Sequence, residues 1–234
     1  MVDSAPKIVA IIQARVGSSR LPGKVLMSIA GKTVLEHIVE RTKSSKLIGD
    51  IIIATSDQRG DDRIADISSS VSVNCFRGNE KRVLDRFVRA SAKVRADVVV
   101  RLTGDNIFVD GSLIDLALTE FLTDYPDLDY LGNTDSCGFP FGLYVEVVKA
   151  DVLAEISENA DDREQEHVTI KVRNNLSLFR VKRLEAQLTF PNINLSIDTA
   201  EDYTRVKKIF EKLYNKNQHF SMLEISALRA NDVC

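Results

Sequence analysis

Short β-branched runs alternating with amphipathic helical stretches are the feature that most narrows the folds open to this chain of 234 residues. Ile8–Gln13 and residues 51–54, 71–76 and 97–102 each read as a buried strand by length and apolar content. Between them, Thr33 and Glu36 have capping-box spacing ahead of Val34, Leu35, Ile38 and Val39, which fall on one helical face. Residues 61–69 predict a second helix, with Asp61 and Asp62 as solvated first-turn charges. Val83, Leu84, Phe87 and Val88 form the inner stripe of a third, and residues 112–122 predict a fourth, with Asp110 as its cap. This order predicts an α/β fold, a mainly parallel sheet with helices on both faces. Ligands of such sheets bind beyond the carboxyl ends of the strands, so the loops beginning at Ala14, Thr55, Arg77 and Thr103 should share one edge.

The second half changes character. Leu143, Val145 and Val147 alternate with Tyr144, Glu146 and Val148, which predicts a strand with one polar face. Helices are expected from about Asp151 and over residues 164–173, and strands over 179–184 and 193–197. Thr199 with Asp202 has capping-box spacing before a helix lined by Tyr203, Val206, Ile209, Phe210 and Leu213, and Ser221 with Glu224 opens a last short one. No Pro/Gly/Ser linker divides the halves, so residues 1–234 read as one domain with an inserted α+β segment near 134–183.

Composition removes several classes. Hydrophobic residues at 44% and charged residues at 28% are those of a folded globular chain rather than a disordered one. A formal charge of −3 argues against nucleic-acid binding through bulk charge. No run approaches a membrane span, the Met1–Lys7 stretch is too polar for a secretory leader, and Cys75, Cys137 and Cys234 form neither a disulfide framework nor a zinc site. A cytoplasmic protein without membrane attachment is the expectation.

The richest segment follows the first strand. Ala14-Arg15-Val16-Gly17-Ser18-Ser19-Arg20-Leu21-Pro22-Gly23-Lys24 combines three cations, two glycines and two serines, donors and charge that suit a polyphosphate. A solvated basic loop is the plainer alternative. It is neither a Walker A loop, because no glycine stands at Ser18 or Leu26, nor GxGxxG. Asp105 follows the apolar strand DVVVRL, and Asp198 follows LSI. Two aspartates at strand mouths near a cationic loop suit Mg²⁺ with phosphate oxygens, although a turn residue and a helix cap are their ordinary alternatives. His37 and His219 read as structural.

The stretch IIQARVGSSRLPGK, from Ile11 to Lys24, resembles the signature of sugar cytidylyltransferases: the octulosonate and acylneuraminate activating enzymes and, with the best fit, the spore-coat polysaccharide branch. The resemblance continues through Arg77-Gly78-Asn79-Glu80, Val83-Leu84-Asp85-Arg86, Arg101-Leu102-Thr103-Gly104-Asp105-Asn106, Glu166-His167-Val168-Thr169 and Ile197-Asp198-Thr199, covering nearly the whole chain. It implies the nucleotide-diphospho-sugar transferase fold and Mg²⁺-dependent transfer of CMP from CTP to an acidic or phosphorylated sugar, releasing pyrophosphate, for surface polysaccharide. It matches Asp105 and Asp198 to magnesium-binding aspartates. Arg15, Arg20 and Lys24 would neutralise phosphates beside Gly17, Ser18 and Ser19, with Asp105 as the catalytic metal ligand. Ala14, Arg15, Ser56, Arg77 and Gly78 would hold the cytosine end, unless Arg77 merely pairs with Glu80 at the surface.

On the acceptor side, Phe139-Pro140-Phe141-Gly142-Leu143-Tyr144-Val145-Glu146 departs from the family pattern, with Phe141 and Tyr144 in place of common Arg and Asp. Asn106, Gly142, Glu146 and His167 are the acceptor candidates, the last two having structural alternatives. The aromatic cluster and the habit of relatives predict a homodimer through residues 134–183, unless those aromatics line the acceptor site or the core. Competing functions are a guanylyl- or uridylyltransferase on a sugar 1-phosphate and a nucleotide-sugar binder without turnover.

Overall fold

The computed structural model describes residues 5–134 and 137–229; Cys234 and the start of the Met1–Lys7 stretch lie outside them. The chain runs β1 (Ile8–Gln13), β2 (Ser28–Ile29), β3 (Lys32–Thr33), α1 (Val34–Lys43), β4 (Asp50–Ser56), α2 (Asp62–Ser70), β5 (Asn74–Gly78), α3 (Val83–Val94) and β6 (Val98–Thr103). It continues with α4 (Gly111–Thr123), β7 (Tyr130–Gly132), β8 (Glu146–Lys149), α5 (Ala150–Ser157), α6 (Asp162–His167), α7 (Ile170–Asn174), β9 (Val181–Arg183), α8 (Ala200–Lys216) and α9 (Met222–Ser226).

Seven strands form one sheet in the order β5-β4-β1-β6-β8-β7-β9. β5, β4, β1 and β6 are parallel neighbours, β8 runs antiparallel to both β6 and β7, and β9 is parallel to β7, so β8 alone is reversed. The fold is therefore the mainly parallel, doubly covered sheet that the strand–helix alternation predicts. One face buries Ala10, Ile12, Val98 and Val100 against α1 and α4, and the other buries Val9, Ile11, Ile52 and Val99 against Leu84, Phe87 and Leu153. The capping boxes at Thr33, Thr199 and Ser221 form as their spacing predicts, and Asp110 caps α4.

The differences have physical reasons. The strand over the 143–148 region spans Glu146–Lys149 and has no polar face: Val145 and Val147 enter one apolar cluster, Val148 the other, and Glu146 is buried among partners. The stretch 164–173 is two short helices, because Val168 at φ 47° breaks the ladder between them. Residues 193–197 are extended but unladdered apart from a single bridge, Phe141 to Asn194, their apolar content reflecting burial over the core. Strand β5 starts at Asn74 instead of Val71.

His37 ties α1 to α8. Its Nε2–H donates to the Ile29 carbonyl at 2.8 Å, its ring lies 4.6 Å from Phe210 and 5.2 Å from Tyr214, and its buried Nδ1 has no hydrogen-bond partner. Burial holds this imidazole below its ordinary value of 6.5, against the pull of the Ile29 carbonyl. The unfolded chain therefore binds a proton that the folded one refuses. The resulting stability is complete above the unfolded value and is lost as pH falls from there through the lower folded value. Urea unfolding should show stability declining as pH falls below about 7, and His37→Phe should flatten that decline.

Candidate active site

From β1 the chain proceeds outward to β4 and β5, then crosses back to β6 on the other side of β1. The crevice of an open α/β sheet lies where the strand order reverses, here between the carboxyl ends of β1 and β6. Gln13 pairs level with both Ala54 and Thr103, so the loops that follow start from one line. Gly104 permits their close approach: its N–H donates to the Gln13 carbonyl at 2.9 Å, and a Cβ there would stand 2.9 Å from Val25.

A cleft of about 520 Å³ opens at this point. Ala14, Arg15, Ser18, Ser19, Arg20 and Lys24 line it from the loop after β1, Asp105 and Asn106 from the loop after β6, and Asp198 from the turn before α8. Glu146 and His167 line its far side with Arg101, Thr134, Phe141, Tyr144 and Arg173. Gly17, Ser56, Arg77, Gly78 and Gly142 stand outside its lining.

Lys24 is the centre. Only 8% exposed, it donates from Nζ to Asp105 Oδ2 at 2.8 Å, to Asp198 Oδ1 at 3.1 Å and to the Ile197 carbonyl at 2.7 Å. Arg20 reaches Asp198 Oδ1 at 3.0 Å from the solvent side, and the Thr103 hydroxyl donates to Asp105 Oδ1 at 2.5 Å. Thr199, not Asp198, caps α8, so the Asp198 carboxylate belongs to the cleft. The paired aspartates are hard oxygen donors within reach of one cation, a set that fits a divalent ion.

The loop is braced by a residue that spacing had marked as a surface charge. Asp61, 3% exposed, accepts from Val16 N–H at 2.7 Å through one oxygen and from the Ser56 N–H and hydroxyl through the other. The Val16 carbonyl in turn accepts from Ser18 and Gly23, both at 2.8 Å, which closes the turn before Lys24. Arg77 pairs with Asp62 at 2.7 Å, not with Glu80, and donates to the Ser56 and Gln58 carbonyls; with Gly78, which accepts from Asp57 N–H, it holds the loop after β4 beside the cleft. Arg15 crosses to Glu166 on α6 at 2.8 Å. Arg86, 2% exposed, joins the lining and donates to the Asn79 and Glu80 carbonyls; burial, with the nearby Arg15 charge, lowers its pKa.

On the far side Glu146 is 2% exposed and accepts from Arg101, from the Tyr130 hydroxyl at 2.7 Å and from the Thr169 hydroxyl at 2.5 Å. Burial pushes this carboxyl up, but Arg101, Arg173 and the two hydroxyls outweigh it and hold it below its usual range. Glu146 is thus an ionised anchor for the arginines of the wall. Gly142, at φ 97°, has the Ser196 nitrogen 2.4 Å from where a Cβ would stand; it lets the Phe141 carbonyl accept from Leu195 N–H at 2.6 Å. His167 is exposed on the rim. Arg86, Arg101 and Glu166 stand inside the motifs that carry the resemblance, although no site role is read for them; Asp61 reads as a solvated charge, and Arg173 carries no signal of its own.

A crevice with this charge pattern suits a polyphosphate, and comparison with known proteins places the chain among the nucleotidyltransferases. The chain belongs to the cytidylyltransferase family, whose model matches residues 9–228. It is 41% identical over 213 residues to the spore coat polysaccharide biosynthesis protein SpsF of Bacillus subtilis, spanning 88% of this chain and 87% of that protein. A 3-deoxy-manno-octulosonate cytidylyltransferase of Geobacter metallireducens is 33% identical over 118 residues, 50% of this chain and 46% of that one. The solved structure of a cytidylyltransferase from Leptospira borgpetersenii superposes with a TM-score of 0.87 at 28% identity, covering 94% and 92% of the two chains.

Asp61→Ala would leave the Val16 and Ser56 N–H groups without their acceptor, at a cost of about 1–3 kcal/mol for each buried donor. Thermal unfolding should register that loss, and proteolysis should cut the variant within residues 15–23 while the wild type resists.

Proposed function

We propose that this enzyme transfers CMP from CTP to an acidic or phosphorylated sugar and releases pyrophosphate, in the cytoplasm, to supply surface polysaccharide synthesis. The observation that carries the reading is the meeting of Lys24, Arg20, Asp105 and Asp198 at the switch point of the sheet. Similarity to SpsF supports the polysaccharide role, and similarity to the octulosonate enzyme supports an acid-sugar acceptor. Cys75 is a free thiol, which suits a reducing compartment, and among the described residues no helix is long and apolar enough to cross a membrane.

In this mechanism Arg15, Arg20 and Lys24 neutralise the phosphates, and the Ser18 and Ser19 hydroxyls and loop N–H groups orient them. Gly17 lets the loop backbone pass close to them, and Ala14, Ser56, Arg77 and Gly78 shape the base end through the loop that Asp61 braces. Magnesium held by Asp105 and Asp198 would supply Lewis-acid stabilisation of charge on the phosphate being transferred. Asn106, His167 and the wall around Glu146 and Gly142 receive the acceptor. Two guanidiniums, Arg101 and Arg173, face one carboxylate there, a balance that favours an anionic sugar. Catalysis is then positioning and electrostatic stabilisation, with no covalent intermediate.

Pyrophosphate release measured with CTP, GTP, UTP and ATP against acid sugars and sugar 1-phosphates tests the reading; turnover confined to GTP or UTP, or CTP binding without turnover on any acceptor, refutes it. Lys24→Ala should lower turnover about 10²- to 10³-fold, as for other lost electrostatic donors. Asp198→Asn should weaken metal-dependent nucleotide binding with α8 intact, because Thr199 supplies the cap.

The one-domain chain also pairs in this reading, through residues 134–183. Phe139 packs on Phe190 at 5.7 Å, and Phe141 with Tyr144 lines the cleft, so the contact falls to Leu176 and Leu178, both large and exposed. Light scattering should give the mass of two chains. Leu176→Glu with Leu178→Glu should give one.

A further inference from the structure

Lys24 is held more completely than phosphate binding alone requires. A lysine ammonium has three N–H donors, and here each has a protein partner: Asp105 Oδ2, Asp198 Oδ1 and the Ile197 carbonyl. Nothing remains for a phosphate oxygen. Lys24 can take one only by releasing a carboxylate, and the carboxylates it holds are the two oxygen donors that suit a divalent ion.

We propose that Lys24 is a resident cation that closes the aspartate pair to a free divalent ion and yields it only to one arriving with nucleotide phosphates. The proposal rests on the reading of Asp105 and Asp198 as metal ligands. Charge arithmetic supports it. Lys24 and Arg20 already balance the two aspartates, and the Lys24 ammonium is largely withdrawn from water. A free dication entering the pair would leave that ammonium buried without its counter-ions, which is costly. A metal–nucleotide complex brings more negative than positive charge, so its phosphates can receive Lys24 and Arg20 as the metal takes the carboxylates. The Ile197 carbonyl, which accepts from the ammonium itself at 2.7 Å, keeps Lys24 anchored through the exchange. Metal entry and phosphate capture become one step, and a metal ion alone does not occupy the site.

Free Mn²⁺, read by electron paramagnetic resonance, tests this on the wild type, Lys24→Met and Lys24→Gln, with folding checked by circular dichroism. Met keeps the stem and removes the charge; Gln keeps a donor for Ile197, should Met fail to fold. Either folded variant should bind free Mn²⁺ at least about tenfold tighter than the wild type, since a competing cation at ion-pair distance is gone. Affinity no tighter than wild type in a folded variant overturns the proposal. So does a wild type that binds free Mn²⁺ as tightly as Mn²⁺ with CTP, whatever the variants do. Dialysis of wild type with Mn²⁺ and CTP separates the two failures. Retention of both leaves the metal reading standing and only the gate lost; release of the metal removes both.

Discussion

The burial of β1 on both faces, with a hydrogen-bonded neighbour on each side, is the constraint on which the rest depends. Ile8, Ala10 and Ile12 enter one apolar cluster and Val9 and Ile11 the other, while β4 and β6 pair with it along nearly its full length. A strand so enclosed cannot shift register without exposing a whole face of apolar side chains. Its carboxyl end is therefore a fixed floor, and the eleven residues from Ala14 to Lys24 begin and end against it. Asp61 braces the start of the turn, and the aspartate pair receives its end.

Both halves of the cleft solve the same problem of charge in a partly dry space. Near β1, Lys24 sits among three acceptors; near β8, Glu146 sits among two guanidiniums and two hydroxyls. Breaking either arrangement from one side leaves an uncompensated charge, which is why such sets persist only when every member is satisfied. The two centres have opposite sign at the middle. The half near β1 gathers carboxylates around a cation, and the far wall gathers cations around a carboxylate.

Much of this was legible in the chain because local pattern and tertiary role coincide. The strands β1, β4 and β6 are β-branched runs with turn residues after them, whereas β5 reads too early because Val71 and Val73 precede it; the caps at Thr33, Thr199 and Ser221 depend only on residues three apart. Asp105 and Asp198 were readable as polar groups closing apolar runs, and Lys24 as a cation of the loop after β1. What the pattern hid was long-range. The partners of Asp61 include Val16, 45 residues away, and Glu166 reaches Arg15 across 151, so neither has a neighbour in sequence to signal it. Lys24 read as an exposed loop cation because no local feature announces that Ile197 and Asp198 fold over it. β7 has three residues, too few for a period, and residues 193–197 have the apolar content of a strand without its ladder.

The reversed strand gives the far wall a chemistry that the parallel strands do not. Parallel strands send their carboxyl ends, and hence their loops, to the crevice. β8 runs the other way and meets it with its first residue, so Glu146 arrives there on rigid sheet, opposite Arg101 in register. The residues just before it, Phe141 and Tyr144, form the adjoining lip, edge to face at 5.3 Å, with Phe141 still 49% exposed. Gly142 fixes that lip by pressing its backbone against Leu195 and Ser196, which leads straight into Asp198. The aromatic lip and the aspartate pair therefore rest on a common stretch of backbone. A substitution at Phe141 or Tyr144 is confined by that contact to side chains, leaving the position of Asp198 and its hold on Lys24 undisturbed.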